Sequence, residues 1–439
     1  MVKYSLSILI LFSFELFSQN TILNLDSCLN RAFKTNLRLL EQEINIDKSK
    51  IISDQTKLNL LPDLNGYSSY GYNWGQTIDP FTNQFASNRV QTNSFYLNSN
   101  WTLFSGLHNY YTTLNSKLDL ALQESNYEAQ VRNIKIDLTA YYLQALLNSK
   151  VIEIKFQHLR YSNSLKNRTQ ELINLGQKPQ YDIIEIRSQI AYDSLNYIHS
   201  KNDYETSLNS LRKIMGIDNS YLFELENTSI YSKTLIDNNL NNNSIDYEIL
   251  PEIKSFMIKQ KLAENNIKMN LWKLSPSLTF TSSFGTGYSG NNKSLVNSQI
   301  VVTPFDEQFK KNIYQSAKLS LYLPIYNKGN TKSQLDLAKI EKSRIQIQLN
   351  DTKLNLENKI VQASIDIKNI INQINVSEYA LKSLKELYEL NQIKYDQGLI
   401  DISKILEVKN KLYETEIEFA KAQIEYVFKT KIFNYLLNK

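Results

Sequence analysis

The sequence predicts a mainly α protein with membrane β. Its strands are expected to join those of other copies in one barrel, its long helices to pack along their whole length as in a coiled coil or a tube of helices, and the plan is repeated twice along the chain. Three observations predict this. Ala317, Leu319, Leu321, Leu323 and Ile325 are apolar and the residues between them are mixed, with Lys318 and Ser320 polar, which is the period of two of a strand with one greasy face. Directly afterwards the pattern turns helical, and Gly329 and Gly398 stand 69 positions apart with no proline between them. The same join of strand to overlong helix occurs earlier, where Gly106 and Gly176 stand 70 positions apart, again without proline.

Taken in order, the chain opens with Lys3, the apolar run Leu6–Phe14 and Ser18, the pattern of a secretory signal peptide over residues 1–18. A first repeat is expected over 19–217. Its opening helix runs from Leu25 to about Leu60, with Asp26 as candidate N-cap, and stops at Leu61-Pro62-Asp63-Leu64. A β-hairpin follows over 63–104. Leu64, Tyr70, Tyr72 and Trp74 mark its first strand, whose alternation breaks at Gly66 and Ser68, and Phe95, Leu97, Trp101 and Leu103 alternate in its second. A long helix over 106–175 is broken at Gly176-Gln177-Lys178-Pro179, and another spans 180–215. Residues 218–248, with their run of asparagines from Asn238, form a small mixed segment between repeats. The second repeat, 249–439, replays the order: a helix from Pro251, a hairpin over 277–326 with Leu278, Phe280 and Phe284 in one strand and a polar loop near Gly285–Asn312, a long helix over 330–397, and a last helix over 402–437.

The duplication can be checked in register. Positions 183, 186, 190, 193, 197, 200, 204, 207, 211 and 214 form a 3-4 spaced seam in which seven of ten residues are apolar. Adding 222 to each gives a second seam, from Ile405 to Leu436, in which eight of ten are apolar. Coincidence of phase over ten positions argues for a true repeat.

The same residues exclude much. No segment after the N-terminus has eighteen uninterrupted apolar residues, so no transmembrane helix is expected in the mature chain. The net charge of +5 is spread along helices with Lys and Glu interleaved, the signature of solvated helix surface and not of nucleic-acid binding. The single Cys28 rules out an internal disulfide and is expected to pack within a helix. His108, His158 and His199 form no metal constellation, and no nucleotide or nucleophile motif occurs, so neither enzyme nor cofactor is expected. A helix of seventy residues is roughly 100 Å long and needs partners along all of it. Four strands cannot close a barrel, and an open sheet edge in lipid leaves backbone groups unsatisfied, so several chains must share one barrel. Two, three or four chains all satisfy that argument.

The order of these elements, the pattern LxxCLxxAFxxNxxL at Leu25–Leu39, the turns LPDL and SPSL, the strand ends LFSG and IYNKG, and the sequence LNSLRKIMG together resemble the TolC family of outer membrane factors. The resemblance covers nearly all of the mature chain. It implies a homotrimer whose twelve strands, four per chain, form one outer-membrane β-barrel continuous with a periplasmic α-helical barrel. It implies a passive channel for efflux or type I secretion, working with a periplasmic adaptor protein and an inner-membrane transporter, with lipid around the barrel. In this family the helix-to-helix turns meet the adaptor, which places those contacts at Leu175, Gly176, Gly398 and Leu399. The family closes the periplasmic entrance with a tyrosine, an aspartate and an arginine. Tyr395 and Asp182 match the first two, whereas the arginine position holds Ile400. Where relatives often carry an acidic ring, this chain has Lys404 and Glu407, from which we expect an interlaced ring of ion pairs. Leu319, Leu321 and Leu323 are expected to face lipid, and Lys318 and Ser320 the lumen. The chain stops at Lys439, directly after the last helix, so the terminal extension of some relatives is not expected. The competing expectation is a structural or adhesive coiled-coil surface protein.

Overall fold

The computed structural model describes residues 21–79, 81–83, 85–86, 89–226, 247–296 and 299–437; the expected signal peptide and residues 227–246 of the expected inter-repeat segment lie outside them. Along the described chain come β1 (Thr21–Leu23), α1 (Leu25–Thr35), α2 (Leu37–Leu58), β2 (Asn65–Asn73), β3 (Thr77–Ile78), β4 (Phe85–Ala86), β5 (Val90–Phe104), α3 (His108–Asn174) and α4 (Tyr181–Met215). After these come β6 (Phe223–Leu225), α5 (Pro251–Trp272), β7 (Ser277–Ser289), β8 (Lys293–Val296), β9 (Gln299–Val302), α6 (Phe305–Lys311), β10 (Tyr314–Tyr322), α7 (Asn330–Asp396) and α8 (Ile402–Leu436). They form two compact units. One takes in the described chain up to Glu41 with Tyr127–Leu250 and Leu354 onward; the other takes in Gln42–Asn126 and Pro251–Lys353.

The first unit is built of helices around one apolar core. Asn24, not Asp26, caps α1: its side chain accepts a hydrogen bond from the Ser27 N–H at 2.8 Å, while Asp26 sits in the first turn. Asparagine and aspartate cap about equally well, so only the position of the break in φ/ψ decides between them. The expected single helix from Leu25 to Leu60 is broken at Asn36. This buried residue accepts from the Arg38 N–H at 3.0 Å to start α2 and donates through Nδ2 to the Ile214 carbonyl at 2.7 Å. Thr35 likewise donates to the Met215 carbonyl, so the kink between α1 and α2 is bolted to the end of α4. Cys28 and Ala32 of α1, Leu138 and Tyr142 of α3, and Leu211 and Met215 of α4 are fully or nearly fully buried in the same cluster. Burial pushes the Cys28 thiol up to about 12 against a small opposing effect of Arg31, so it stays protonated at neutral pH.

Gly216 ends α4 in the left-handed region at φ 65°, and a Cβ placed there would run into the backbone carbonyl of Thr35. A Gly216→Ala variant is therefore expected to lose more than the roughly 1 kcal/mol of the left-handed penalty, on the order of 2 kcal/mol in all, because the kink must move away from α4. Thermal unfolding followed by far-ultraviolet circular dichroism checks this; an unchanged midpoint would show that the junction yields freely.

The second unit carries an antiparallel sheet in the order β10-β7-β5-β2. Its members are nine, thirteen, fifteen and nine residues long, taken in that order. Cross-strand pairing sorts the side chains cleanly. One face carries rows such as Trp101–Phe280–Leu319 and Phe104–Leu278–Leu321; the other carries Thr102–Thr279–Ser320 and Asn100–Thr281–Lys318. Within β5 a bulge between Thr102 and Phe104 puts Phe104, not the expected Leu103, into the apolar row. Leu323 lies one residue beyond the end of β10 and directly before Pro324, which has no N–H to continue a ladder. Leu64 and Trp74 fall just outside β2, which is unbroken at Gly66 and Ser68.

The expected polar loop over Gly285–Asn312 is mostly regular structure. Strand β7 continues to Ser289, β8 and β9 form a hairpin, and α6 follows. The reason is a local edge problem. Because β10 starts opposite Gly285, the last residues of β7 have no partner on that side. Side chains supply one: fully buried Gln308 accepts from the Ser289 N–H and donates to its carbonyl, both at 3.0 Å, and Asn312 donates to the Gly287 carbonyl at 2.8 Å. Helix α6 thus caps a strand edge that would otherwise stay open.

Two further patterns matter below. Leu37, Ile44, Ile51 and Leu58 recur every seven residues along α2, as do Ile340, Ile347, Leu354 and Val361 along α7, and all eight are more than half exposed. A seven-residue apolar stripe is a coiled-coil seam, and these two stand uncovered among the described residues. No helix among the described residues is long and apolar enough to cross a membrane.

Candidate functional site

Two helix-to-helix turns lie in the first unit, one between α3 and α4 and one between α7 and α8. Each begins with a glycine in the left-handed region, Gly176 at φ 75° and Gly398 at φ 74°. Hydrogen bonds from Gly176 to Ile173, Gln177 to Leu172, Gly398 to Tyr395 and Leu399 to Lys394 give both ends the Schellman pattern of bonds. Neither glycine has a neighbour where a Cβ would go, so conformation and not space selects it. Leu175 and Leu399 beside them are 70% and 68% exposed, leaving one bare apolar side chain on each turn.

Behind the turns a small core gathers Leu165 and Leu172 of α3, Ile186 of α4, Tyr395 of α7, and Ile402 and Ile405 of α8. Within it the Tyr395 hydroxyl donates to Asp182 Oδ2 at 3.0 Å, and the Thr169 hydroxyl lies 3.0 Å from the Tyr395 hydroxyl oxygen. Tyr395 is fully buried and Asp182 nearly so, the latter in the first turn of α4, where the helix dipole favours a carboxylate. Burial is the main cause that pushes the Tyr395 phenol up, and the Asp182 charge adds to it. The phenol therefore stays a donor at every physiological pH. The sequence brought out Tyr395 and Asp182; Thr169 carried no signal there.

Ile400, at the position that the resemblance matched to an arginine, packs against this apolar core. A cation reaches the site by another route. Lys178, on the opposite turn, holds its ammonium 4.0 Å from the centroid of the Tyr395 ring and 3.4 Å from the Ile400 carbonyl. Beside them Arg168 grips Asp396 with two hydrogen bonds of 3.1 Å. Lys404 and Glu407 also meet, but within one turn of α8: Lys404 donates to one Glu407 oxygen at 2.8 Å and Lys411 to the other at 2.7 Å. The Lys404 hydrogen bond, then that of Lys411, hold the Glu407 carboxyl down at about 2. Within one chain these three side chains carry two positive charges and one negative.

About two helical turns from Tyr395 lies a group that the sequence reading missed. Lys409 of α8, 1% exposed, donates to Asp193 Oδ2 at 2.6 Å and to the Ser162 hydroxyl of α3. Gln189 donates to the other Asp193 oxygen at 2.7 Å and exchanges hydrogen bonds with Asn410. Burial pushes the Lys409 ammonium below its ordinary value, with Asp193 opposing the shift. One ion pair thus ties α3, α4 and α8 together. Asp193 was the signal available: it interrupts an otherwise apolar stretch of the 3-4 seam. Nearby, His158 of α3 meets Glu416 of α8 at 2.9 Å, and Lys385 of α7 lies 3.6 Å from its other oxygen. Burial, the largest single influence, raises the Glu416 carboxyl, yet His158 and Lys385 together outweigh it and hold it below its ordinary value.

Leu319 and Leu321 stand on the apolar sheet face, 61% and 71% exposed, and Leu323 beyond the strand end is 55% exposed. Among the described residues no group of three or more His, Cys, Asp or Glu is placed to hold a metal.

No curated protein matches the sequence. Among solved structures, the fold is similar to that of CusC, from a study of conformational changes accompanying folding and transmembrane channel formation, at TM-score 0.80 and 16% identity over 94% of this chain and 91% of that one. It is similar to the Campylobacter jejuni CmeC outer membrane channel at TM-score 0.78 and 18% identity, over 94% and 85%. It is also similar to the open state of the Neisseria gonorrhoeae MtrE outer membrane channel at TM-score 0.75 and 16% identity, over 94% and 88%. A family model described as outer membrane efflux protein matches residues 28–217 and 250–427. Those two stretches take in more than four-fifths of the sequence and every helix from α2 to α7 that carries the turns and their buried contacts, so the chain belongs to the outer membrane efflux protein family.

Proposed function

We propose that three copies of this chain form a passive duct across the outer membrane, conducting solutes or proteins delivered by a periplasmic adaptor and an inner-membrane transporter. The observation that carries this reading is the sheet: one apolar face, one polar face, and two open edges, β2 and β10, of nine residues each. In lipid those edges must pair, and edges of equal length on an even-stranded sheet let copies join in a ring with antiparallel order kept throughout. The uncovered seven-residue seams of α2 and α7 call for neighbours of the same kind. The number three comes from the family.

On this reading Leu319 and Leu321 face lipid with Leu323 at the barrel's lower margin, and the Ser, Thr and Asn rows line the lumen. Two repeats, 19–217 and 249–439, with residues 218–248 between them, supply quasi-sixfold helix packing; the family description matching the chain in two successive stretches supports this. The turns Leu175-Gly176 and Gly398-Leu399 offer their bare leucines to the adaptor. Asp182, Tyr395, Lys404 and Glu407 hold the entrance narrow. The tunnel stands in the periplasm, residues 1–18 direct export, and the chain has no catalytic role.

Purified chain loaded on an SDS gel without heating is expected to migrate as a trimer that collapses to monomer on boiling, and to conduct in planar bilayers. A monomer without conductance would favour the surface coiled-coil reading and overturn this one. Recovery of an adaptor by pull-down through the turns tests the partner assignment separately.

A further inference from the structure

The polar sheet face has one row unlike the rest. Pairing aligns Tyr67 of β2 with Tyr96 of β5, Tyr96 with Gly285 of β7, and Gly285 with Tyr314 of β10. Directly paired residues point to the same face, so a single cross-strand row carries three tyrosines and a glycine. The rings of Tyr67 and Tyr96 stack at 4.9 Å with an interplanar angle of 22°. At Gly285 the missing side chain is replaced by the ring of Tyr314, which lies 2.7 Å from where a Cβ would stand. Each of the four strands in this row thus either carries a tyrosine or, at Gly285, lies under the ring of one. One row outward, Gly287 is covered in the same way by the ring of Phe81.

The neighbours of this row are polar and uncharged. On one side stand Asn65, Asn98, Ser283 and Ser316, themselves a cross-strand row, and on the other Ser69 and Ser94. The nearest charge on this face within the sheet is Lys318, four positions from Tyr314 along β10. A platform for aromatic cations would need carboxylates beside the rings, and the flanking rows have none. Flat apolar rings bordered by hydroxyls and amides match a ligand with a C–H-rich face and a hydroxyl-bearing rim, which is a sugar ring. Strands of a membrane barrel are tilted by about 35–45°, so a row perpendicular to them climbs along the lumen. A climbing row suits a chain of linked sugars better than a single one.

We infer that Tyr67, Tyr96 and Tyr314 form a stacking track in the lumen that binds linear neutral oligosaccharides. This rests on the proposal that the polar face lines a channel. The test uses the purified full-length chain in planar bilayers with maltohexaose as probe. Current is expected to be blocked in a saturable way. In the Tyr67→Ala/Tyr96→Ala/Tyr314→Ala variant the half-blocking concentration should rise at least tenfold, and in Tyr96→Phe it should stay within about twofold. A conducting channel that maltohexaose leaves unblocked would overturn the track alone, as would equal block in the triple variant, or block by ethidium without block by maltohexaose. Absence of any conductance would overturn the duct and the track together. Should the triple variant fail to assemble, Tyr96→Trp supplies the readout: its emission should shift on titration with maltohexaose, and an unmoved spectrum overturns the inference.

Discussion

The Asp182→Ala/Glu407→Ala variant is expected to conduct several times the current of the unsubstituted channel. Removing Asp182 takes the charged acceptor from the buried Tyr395 hydroxyl and leaves it the Thr169 hydroxyl alone, a loss on the order of 1–3 kcal/mol. Removing Glu407 takes away the carboxylate that both Lys404 and Lys411 hold on α8, and in the proposed trimer three such faces around an axis would repel one another. The first change loosens α7 from α4; the second pushes the copies of α8 apart. Single-channel recording in planar bilayers measures the outcome, with Lys404→Ala, which removes one of the two lysines, as the control expected to open less. Conductance unchanged in the double variant would mean that neither contact restrains the entrance.

Replacing Lys409 by methionine is expected to cost about 3–5 kcal/mol of stability, more than any other single substitution considered for this chain. The methionine fills nearly the same volume but leaves the largely covered Asp193 carboxyl without its cation, served only by Ser162 and Gln189. The logic of buried ion pairs adds a second half to the prediction. Lys409→Met combined with Asp193→Leu should recover most of the loss, because two apolar groups need no mutual compensation. Thermal unfolding in detergent, followed through helix content, separates the cases. If Lys409→Met alone fell by under about 1 kcal/mol, water must reach the site and the pair is not truly buried.

These two sites show how far residue patterns carry. The long helices were legible because seventy residues without proline, closed by a glycine, leave little else to form, and their ends agree with the structure to within one or two residues. The sheet's apolar and polar faces were legible from alternation alone in β10, but not in β5, where a one-residue bulge shifts the phase between Trp101 and Phe104. The stretch after Gly285 was misjudged for a physical reason. Its polar Gln308 and Asn312 look like loop residues, yet they face inward to satisfy a strand edge, and side-chain capping of this kind leaves no periodicity. Tyr395 and Asp182 were found through family resemblance and not through spacing, since 213 residues separate them. Lys409 escaped notice because a buried lysine in sequence looks like any surface lysine. Lys178 escaped because its role follows from the two turns lying side by side.

The two nine-residue edges have a consequence for how the duct comes into being. If the chain forms the proposed duct, a four-stranded sheet cannot close in lipid by itself, so association must accompany insertion and a ring is complete only when both edges of every copy are paired. Each chain offers one edge to the neighbour on its left and the other to the neighbour on its right. A copy with a damaged β2 but a sound β10 would still recruit a partner and then stop the ring from closing. In a cell making both kinds of chain, the defective one would withdraw sound copies from use, and a recessive-looking lesion in a nine-residue strand would behave as a dominant one.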